Sequence, residues 1–359
     1  MILTQEQSHQ DQLAEMPPPV EGVSLDNQVV VITGANTGLG FEAAKHFAIR
    51  GPQKLVIVCR SEEKGQTALN RIKTETSFTN IELWTVDLNS FKSISAIKDK
   101  INQLERLDIL VENAAIASIE YILTEDGWDH RQVLNIVYTR CLSNNSQPVP
   151  CSLQSNVLGP ALHIILHLPK LLDTAKKYPK STPRIVLVSS NVHYWTTTPV
   201  TEALKAPSAL EFLNDKSYFD RNIDNRYPET KALDIMFVRA LQQRLPSVTT
   251  CSVNPGFCYS ELARYAEGER AEHLRSLQKK LAFTTEEGSR QLLFAAIGSR
   301  DREADVRGSY ISFSQVSECS DLILSDDGQR LEDKLWTEIL DLCGRVDETA
   351  KEIIQTHLS

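Results

Sequence analysis

Apolar and polar positions follow two rhythms along the chain. Gln28 to Thr33 (QVVVIT) is a short β-branched run, a predicted strand, and it ends in the turn Gly34-Ala35-Asn36-Thr37-Gly38-Leu39-Gly40 before Phe41 to Arg50 take up helical spacing. The unit then repeats. Strands are predicted at 54–59 (KLVIVC), 81–86 (IELWTV) and 108–112 (DILVE), with helices at 62–75 and 90–105 between them. After an irregular stretch come a helix at 154–176, a strand at 184–189 (RIVLVS), a loop-rich segment at 191–225, a helix at 228–244 and a strand at 248–253 (VTTCSV). Helices at 260–281, 285–298 and 327–343 follow, with 308–312 (GSYIS) as a candidate seventh strand. Strands alternating with helices require crossovers, hence parallel pairing with both faces covered. The expectation is a doubly wound α/β sheet of six to seven parallel strands in one domain over 25–345, with a flexible segment at 1–24 and a C-terminal tail at 346–359.

Composition narrows the class. Of 359 residues, 41% are hydrophobic and 24% charged, which excludes a disordered or fibrous chain. The net charge of -9, without a long run of Lys or Arg, argues against a nucleic-acid binder, so an anionic ligand needs a local site. Seven Cys are scattered without a C-x-x-C pair, which fits neither a disulfide framework nor a zinc site and points to reduced thiols in a cytoplasmic setting. Residues 1–24 lack the basic start and apolar stretch of a signal peptide. The most apolar window, Val157 to Leu172, is 16 residues long and holds His163, His167 and Lys170, so it reads as a buried helix and no transmembrane segment is expected. His163 and His167 stand four apart, but no further ligand completes a site, and no metal is expected.

The glycine turn is the first candidate for chemistry. Gly34, Gly38 and Gly40, with Asn36 and Leu39 between them, follow a strand and open a helix, where backbone approaches a pyrophosphate at a helix N-terminus. A tight turn with no ligand is the plain alternative. The end of the second strand selects the dinucleotide: an acidic residue there would bind the ribose 2′-hydroxyl, but the chain has Cys59-Arg60, and a guanidinium pairs with a 2′-phosphate. NADP(H) is therefore favoured, with Lys64 one turn on as a second cation or a surface lysine. Asp87 closes the third strand and is placed for the adenine amino group, and Asn113 closes the fourth at the same sheet edge.

Tyr227-Pro-Glu-Thr-Lys231 places a phenol and an ammonium on one helix face. A nearby ammonium lowers a tyrosine pKa, so the phenol exchanges protons nearer neutrality. The spacing alone is common, but Ser189-Ser190 end a strand upstream and Asn254-Pro255-Gly256 end one downstream, on the same edge. With Thr-Gly-x-x-x-Gly-x-Gly at 33–40, Asn-Ala-Ala at 113–115, Ser190, Tyr-x-x-x-Lys at 227–231 and Pro-Gly at 255–256, the chain resembles the short-chain dehydrogenase/reductase superfamily, a Rossmann fold, from about 27 to 262. Cys-Arg-Ser-Glu-Glu-Lys-Gly at 59–65, Val-Glu-Asn-Ala at 111–114 and Asn-Pro-Gly-Phe-Cys-Tyr-Ser-Glu-Leu at 254–262 are similar to the branch with retinol-dehydrogenase-like and fungal secondary-metabolite reductases. The resemblance implies hydride transfer at a carbonyl or alcohol of a small molecule. Tyr227 would be the general acid/base, Lys231 would lower its pKa and hold the nicotinamide ribose, Ser190 rather than Ser189 would orient the substrate oxygen, and Ser260 would meet the carboxamide. It also implies a homo-oligomer paired through the helices at 154–176 and 228–244.

Two departures stand out. Ala115 carries a methyl group where the family has glycine. The family's fourth catalytic residue, an Asn, has two candidates: Asn135 has the expected spacing from Trp128, whereas Asn156 has the matching neighbours, Gln154-Ser-Asn-Val-Leu-Gly159. Removing 133–153, a stretch of 21 residues, brings Asn156 to seven positions after Trp128, so Asn156 is assigned and 133–153 is read as an insertion, either a translated intron or a genuine loop at the substrate entrance. The rival to an enzyme is a non-catalytic or insertion-disabled dinucleotide-binding protein. Aromatic residues Tyr194, Trp195, Tyr259 and Tyr265 fit either an apolar substrate pocket or loop packing.

Overall fold

The computed structural model describes residues 10–115, 124, 126, 153–259 and 268–358. The first half alternates as β1 Val29–Thr33, α1 Gly38–Ile49, β2 Lys54–Cys59, α2 Glu62–Thr76, β3 Ile81–Thr85, the short helices α3 Phe91–Ser95 and α4 Lys98–Gln103, and β4 Ile109–Glu112. A π-helical turn at Gln154–Leu158 runs into α5 Gly159–Lys177, then β5 Arg184–Val188 and a 3-10 turn Asn191–Trp195. Three short helices, α6 Val200–Lys205, α7 Ala209–Asn214 and α8 Lys216–Arg221, precede α9 Arg226–Arg244 and β6 Thr249–Asn254. α10 Gly268–Leu281, α11 Thr285–Ile297, β7 Tyr310–Ser312, β8 Gln315–Ser317, α12 Asp326–Val346 and α13 Glu348–His357 follow, with single helical turns at Glu303–Val306 and Asp321–Leu324 between them.

Among the described residues the strands form one sheet in the order β3-β2-β1-β4-β5-β6-β7-β8. All neighbours from β3 to β7 are parallel. β8, a return strand, is antiparallel to β7 and was not expected; at three residues it is too short to carry a hydrophobic period. Alternation divides the core: Val29 and Val31 face the layer of α5 and α9, whereas Val30 and Ile32 face that of α1, α2 and α11. β1 pairs with both β2 and β4, so the chain reverses direction across the sheet there and leaves a crevice outside the strand C-termini. The predicted helix 90–105 is split where Ile97 N turns back to Ile94 O.

Residues 10–24, expected as part of a flexible lead-in, lie against the domain. The buried Gln12 amide donates to Phe257 O and Leu281 O, at 2.7 and 2.9 Å, and accepts from Phe257 N at 3.0 Å, and Met16 packs beside Cys258 and Phe283. An amide satisfied on both sides holds a short turn of chain that its own polar composition would leave in water. The segments 116–123, 127–152 and 260–267 lie outside the described residues, and with them Asn135, nearly all of the expected insertion, Ser260 and Tyr265. Among the described residues no helix is long and apolar enough to cross a membrane, and no group of three or more His, Cys, Asp or Glu is gathered as a metal site would require.

The helices through which a second copy was expected to dock are covered by the chain itself. α9 is buried on nearly every side from Glu229 to Leu241, and α12 packs along it through Phe237 against Trp336, with ring centroids 5.6 Å apart, and Arg239 to Glu332 at 2.8 Å. α13 lies on α5 and buries Ala350 and Ile353. A helix buried around its circumference needs cover on all sides, and here the cover comes from the same chain. Pairing of two copies through α5 and α9 is therefore not expected, which cross-linking from these helices, with size exclusion and light scattering, checks. A dimer that persists on dilution and cross-links through α5 or α9 would contradict it.

Candidate active site

The glycine turn is built around two side chains from neighbouring strands. Thr33 Oγ1 donates to Glu112 Oε2 at 3.1 Å and accepts from Asn113 N and Ala114 N at 3.0 and 3.1 Å. Asn113 Nδ2 in turn donates to Thr33 O at 2.9 Å and to Gly34 O at 3.3 Å, tying the end of β4 to the turn after β1. A Cβ on Gly40 would lie 2.4 Å from Asn113 Nδ2 and 2.5 Å from Gly34 O, so this glycine is required by close approach. Gly38 differs: its φ is +61° and a Cβ there would meet nothing within 4 Å, so the turn opens onto free space at the start of α1. A helix N-terminus that exposes backbone N–H groups to an open cradle fits a pyrophosphate. Asn36 is half-buried in the same turn, while Leu39 packs beside Gly288 of α11 and presents only its backbone. Gly40→Ala is expected to lower stability by roughly 1–3 kcal/mol and to lose dinucleotide affinity, read by denaturant unfolding and by NADPH fluorescence; an unchanged protein would contradict the close packing.

Glu112 and His163 were not foreseen as site residues. His163 Nδ1 lies 2.5 Å from Glu112 Oε1, and His167 Nδ1 lies 2.7 Å from His163 O. The pair expected to be a packed helix face thus holds the carboxylate that fixes Thr33, and through it the Asn113 turn. The glutamate before Asn-Ala-Ala was the available signal, since a buried carboxylate needs a partner.

The expected cofactor residues of β2 and β3 sit at the same sheet edge. Arg60, just beyond β2, is exposed and has no hydrogen bond or ion pair among the described residues, and Lys64 is likewise exposed on the first turn of α2. Asp87 is half-buried beyond β3, where its Oδ1 accepts from Asn89 N and Nδ2 at 3.0 and 3.1 Å.

The second cluster surrounds α9. Lys231 Nζ lies 5.7 Å from the Tyr227 ring centroid and donates to Val188 O and Asp234 Oδ2, both at 2.8 Å. Ser189 Oγ donates to Lys231 O at 2.8 Å and is buried, which removes it as a free hydroxyl. Ser190 is half-buried, and among the described residues its hydroxyl makes only long contacts, to Val192 N at 3.3 Å and Asn191 Oδ1 at 3.4 Å. Asn156 Nδ2 donates to Thr230 Oγ1 at 3.1 Å, and Thr230 Oγ1 bonds back to Tyr227 O at 3.0 Å. Asn156 lies in the π-helical turn, a distortion frequent at functional sites because it re-aims a side chain out of the helical ladder. Asn254 was read as the end of a strand; its Oδ1 accepts from Asn191 N at 3.2 Å and Gly256 N at 3.1 Å, joining the turn after β5 to the loop after β6.

Burial pushes the Tyr227 phenol above its ordinary value, with Lys231 pulling down and Asp234 pushing further up. The spacing alone leads to the expectation of a lowered pKa; burial is the larger missing element, and Asp234 adds to it against the ammonium. Tyr194 packs against His193 and Tyr310 with its hydroxyl on Glu318 O, so it belongs to loop packing, whereas Tyr259 is exposed.

Matches to known proteins bear on the family and the fold. A family model for short chain dehydrogenase matches residues 28–146. Short chain dehydrogenase sol3 of Alternaria solani is 34% identical over 303 residues, covering 84% of this chain and 94% of the relative. The chain belongs to the short-chain dehydrogenase family. Short chain dehydrogenase/reductase dmxR8 of Cryptosporiopsis sp. is 32% identical over 332 residues, 90% of this chain and 92% of its own. Among solved structures, salutaridine reductase from Papaver somniferum superimposes with a TM-score of 0.56 at 22% identity, covering 79% of this chain and 99% of its own. NADPH-bound carbonyl reductase from chicken fatty liver gives 0.56 at 19% identity over 85% and 99%. These two share the fold. As a family member the chain is an oxidoreductase that uses a nicotinamide dinucleotide, and its named relatives are fungal.

Proposed function

We propose that the protein is an NADP(H)-linked oxidoreductase that reduces a ketone or aldehyde, or oxidises the corresponding alcohol, on a medium-sized and mostly apolar molecule of fungal secondary metabolism. The observation that carries the reading is the buried Lys231 ammonium beneath the Tyr227 ring, at the end of the strand that delivers Ser190. The bound nicotinamide supplies or accepts the hydride. In the reductive direction the phenol of Tyr227 gives its proton to the carbonyl oxygen, so that the oxygen leaves as a hydroxyl and the residue as phenolate, which Lys231 stabilises. Ser190, whose hydroxyl makes only long contacts among the described residues, donates a hydrogen bond to the same oxygen. Asn156 acts through Thr230 on the turn of α9 that carries Tyr227.

Preference for NADP(H) rests on Arg60. An exposed guanidinium without a partner among the described residues, at the end of the second strand where an acidic residue would select NAD, suits a 2′-phosphate. The test is to titrate NADPH and NADH by fluorescence and then follow NADPH oxidation with a panel of apolar ketones and aldehydes. Tighter binding of NADPH with turnover of at least one carbonyl class is expected; binding without turnover across the panel would favour a non-catalytic dinucleotide-binding protein.

A further inference from the structure

Among the described residues five buried carboxylates pair with a lysine or arginine, Asp108, Glu229, Asp234, Glu332 and Asp347, and of these Asp108, Glu229 and Asp347 receive donors on both oxygens. Asp108 receives Arg106 Nη2 and Ser181 on Oδ1 and Arg106 Nε and Val29 N on Oδ2. Glu229 receives Tyr218 and Thr198 on Oε1 and Arg226 on Oε2. Asp234 differs. It is 1% exposed, Lys231 holds its Oδ2, and its Oδ1 has no hydrogen-bond partner among the described residues. A half-satisfied carboxylate in the interior is unfavourable for folding, so stability alone does not account for it.

Lys231 shows what the carboxylate does. The ammonium is 2% exposed and has three N–H donors, of which Val188 O and Asp234 Oδ2 engage two. We propose that Asp234 is a positioning residue: it pins the Lys231 ammonium against the end of β5, keeps it charged beneath the Tyr227 ring with a donor left over, and so sets the alkaline limit of turnover. The inference rests on the reading of Tyr227 and Lys231 as proton donor and ammonium partner.

The electrostatics agree in sign. Burial raises the Asp234 carboxyl to about 6 even against the pull of Lys231. For Lys231, burial pulls down, but Asp234 and the phenol together outweigh it and leave the ammonium above its ordinary value. Asp234 also pushes the Tyr227 phenol up. Charged groups on the surrounding elements are engaged elsewhere: Arg184 of β5 with Glu303, Cys251 of β6 with Ala295 O, His193 of the 3-10 turn with Ser190 O, and Glu332 of α12 with Arg239. On α9 itself, Arg226 pairs with Glu229. Among the described residues, the charges acting on the trio are thus its own members.

Carbonyl reduction needs both Tyr227 and Lys231 protonated, so activity falls as pH rises through the lower of their two values. Removing the negative charge lowers both. In full-length protein, Asp234→Asn is therefore expected to move the alkaline limb of kcat/KM, for NADPH-dependent reduction of the best carbonyl in the panel, down by about one pH unit or more. NADPH affinity, read by fluorescence without a carbonyl present, is expected to weaken several-fold as pH rises across that limb in Asp234→Asn but not in the wild type. Asp234→Glu restores the limb. Superimposable profiles for wild type and Asp234→Asn overturn the proposal, as does a loss by the same factor at every pH accompanied by a lower Tm, which is packing alone. If Asp234→Asn does not fold, Asp234→Glu and Asp234→Ser are compared, and identical limbs in those two overturn it. A Tyr227→Phe protein that still turns over defeats the underlying reading. A dead Tyr227→Phe with an unshifted Asp234→Asn profile defeats only this inference.

Discussion

Tyr227→Phe is expected to cut carbonyl reduction by about 10²–10⁴-fold, the range that a positioned proton donor supplies, while leaving NADPH binding within about twofold. The substitution removes one oxygen and keeps the ring. Lys231 Nζ lies 5.7 Å from the centroid of that ring and is held by Val188 O and Asp234, neither of which involves the phenol oxygen, so the ammonium stays in place. The expected pattern is a fall in kcat and kcat/KM together with a nearly unchanged dissociation constant for NADPH. Single-turnover reduction followed by loss of NADPH fluorescence checks it, and full activity in Tyr227→Phe would remove the acid/base role. The neighbouring Ser190 hydroxyl is far less acidic than a phenol and is not expected to replace it.

Arg60→Ala is expected to weaken NADPH by about 10–100-fold, because a hydrogen bond to a charged group contributes roughly 1.5–3 kcal/mol and 1.4 kcal/mol is a factor of ten. NADH affinity should be unchanged, since it has no 2′-phosphate. Arg60 is exposed, so the interaction is screened, and the expected loss is greatest at low ionic strength and shrinks as salt rises. Fluorescence titrations of both dinucleotides at two salt concentrations make the comparison. Equal losses for NADPH and NADH would show that Arg60 acts on the turn itself, and no loss for either would place the 2′-phosphate elsewhere.

How much of this was legible beforehand varied with the range of the interaction involved. β1, β2, β4, β5 and β6 were read within one residue at either end because each is a short β-branched run that parallel pairing buries on both faces. The glycine turn was legible because each glycine answers a local demand, a positive φ at Gly38 and backbone contact at Gly40. β8 was not: Gln315, Val316 and Ser317 have no period of their own and are extended by pairing with β7. Residues 1–24 were read as a flexible lead-in because they are polar, yet among the described residues the Gln12 amide finds its partners more than two hundred positions away.

The same division runs through the site. Residue types at fixed spacing determined, without any structure, that a phenol and an ammonium share one face of α9 and that a glycine turn follows the first strand. Only tertiary structure decided which groups modify them. Ser189 was withdrawn by Lys231 O, Thr33 was tied to a Glu112–His163 pair on a distant helix, and the faces of α5 and α9 were covered by α12 and α13. Asp234 stands between the two cases, since its place one turn after Lys231 was in plain view but its effect depends on burial. Local backbone geometry repeats with a period that a sequence displays, whereas desolvation depends on every element that happens to pack over a group, and no spacing along the chain encodes that sum.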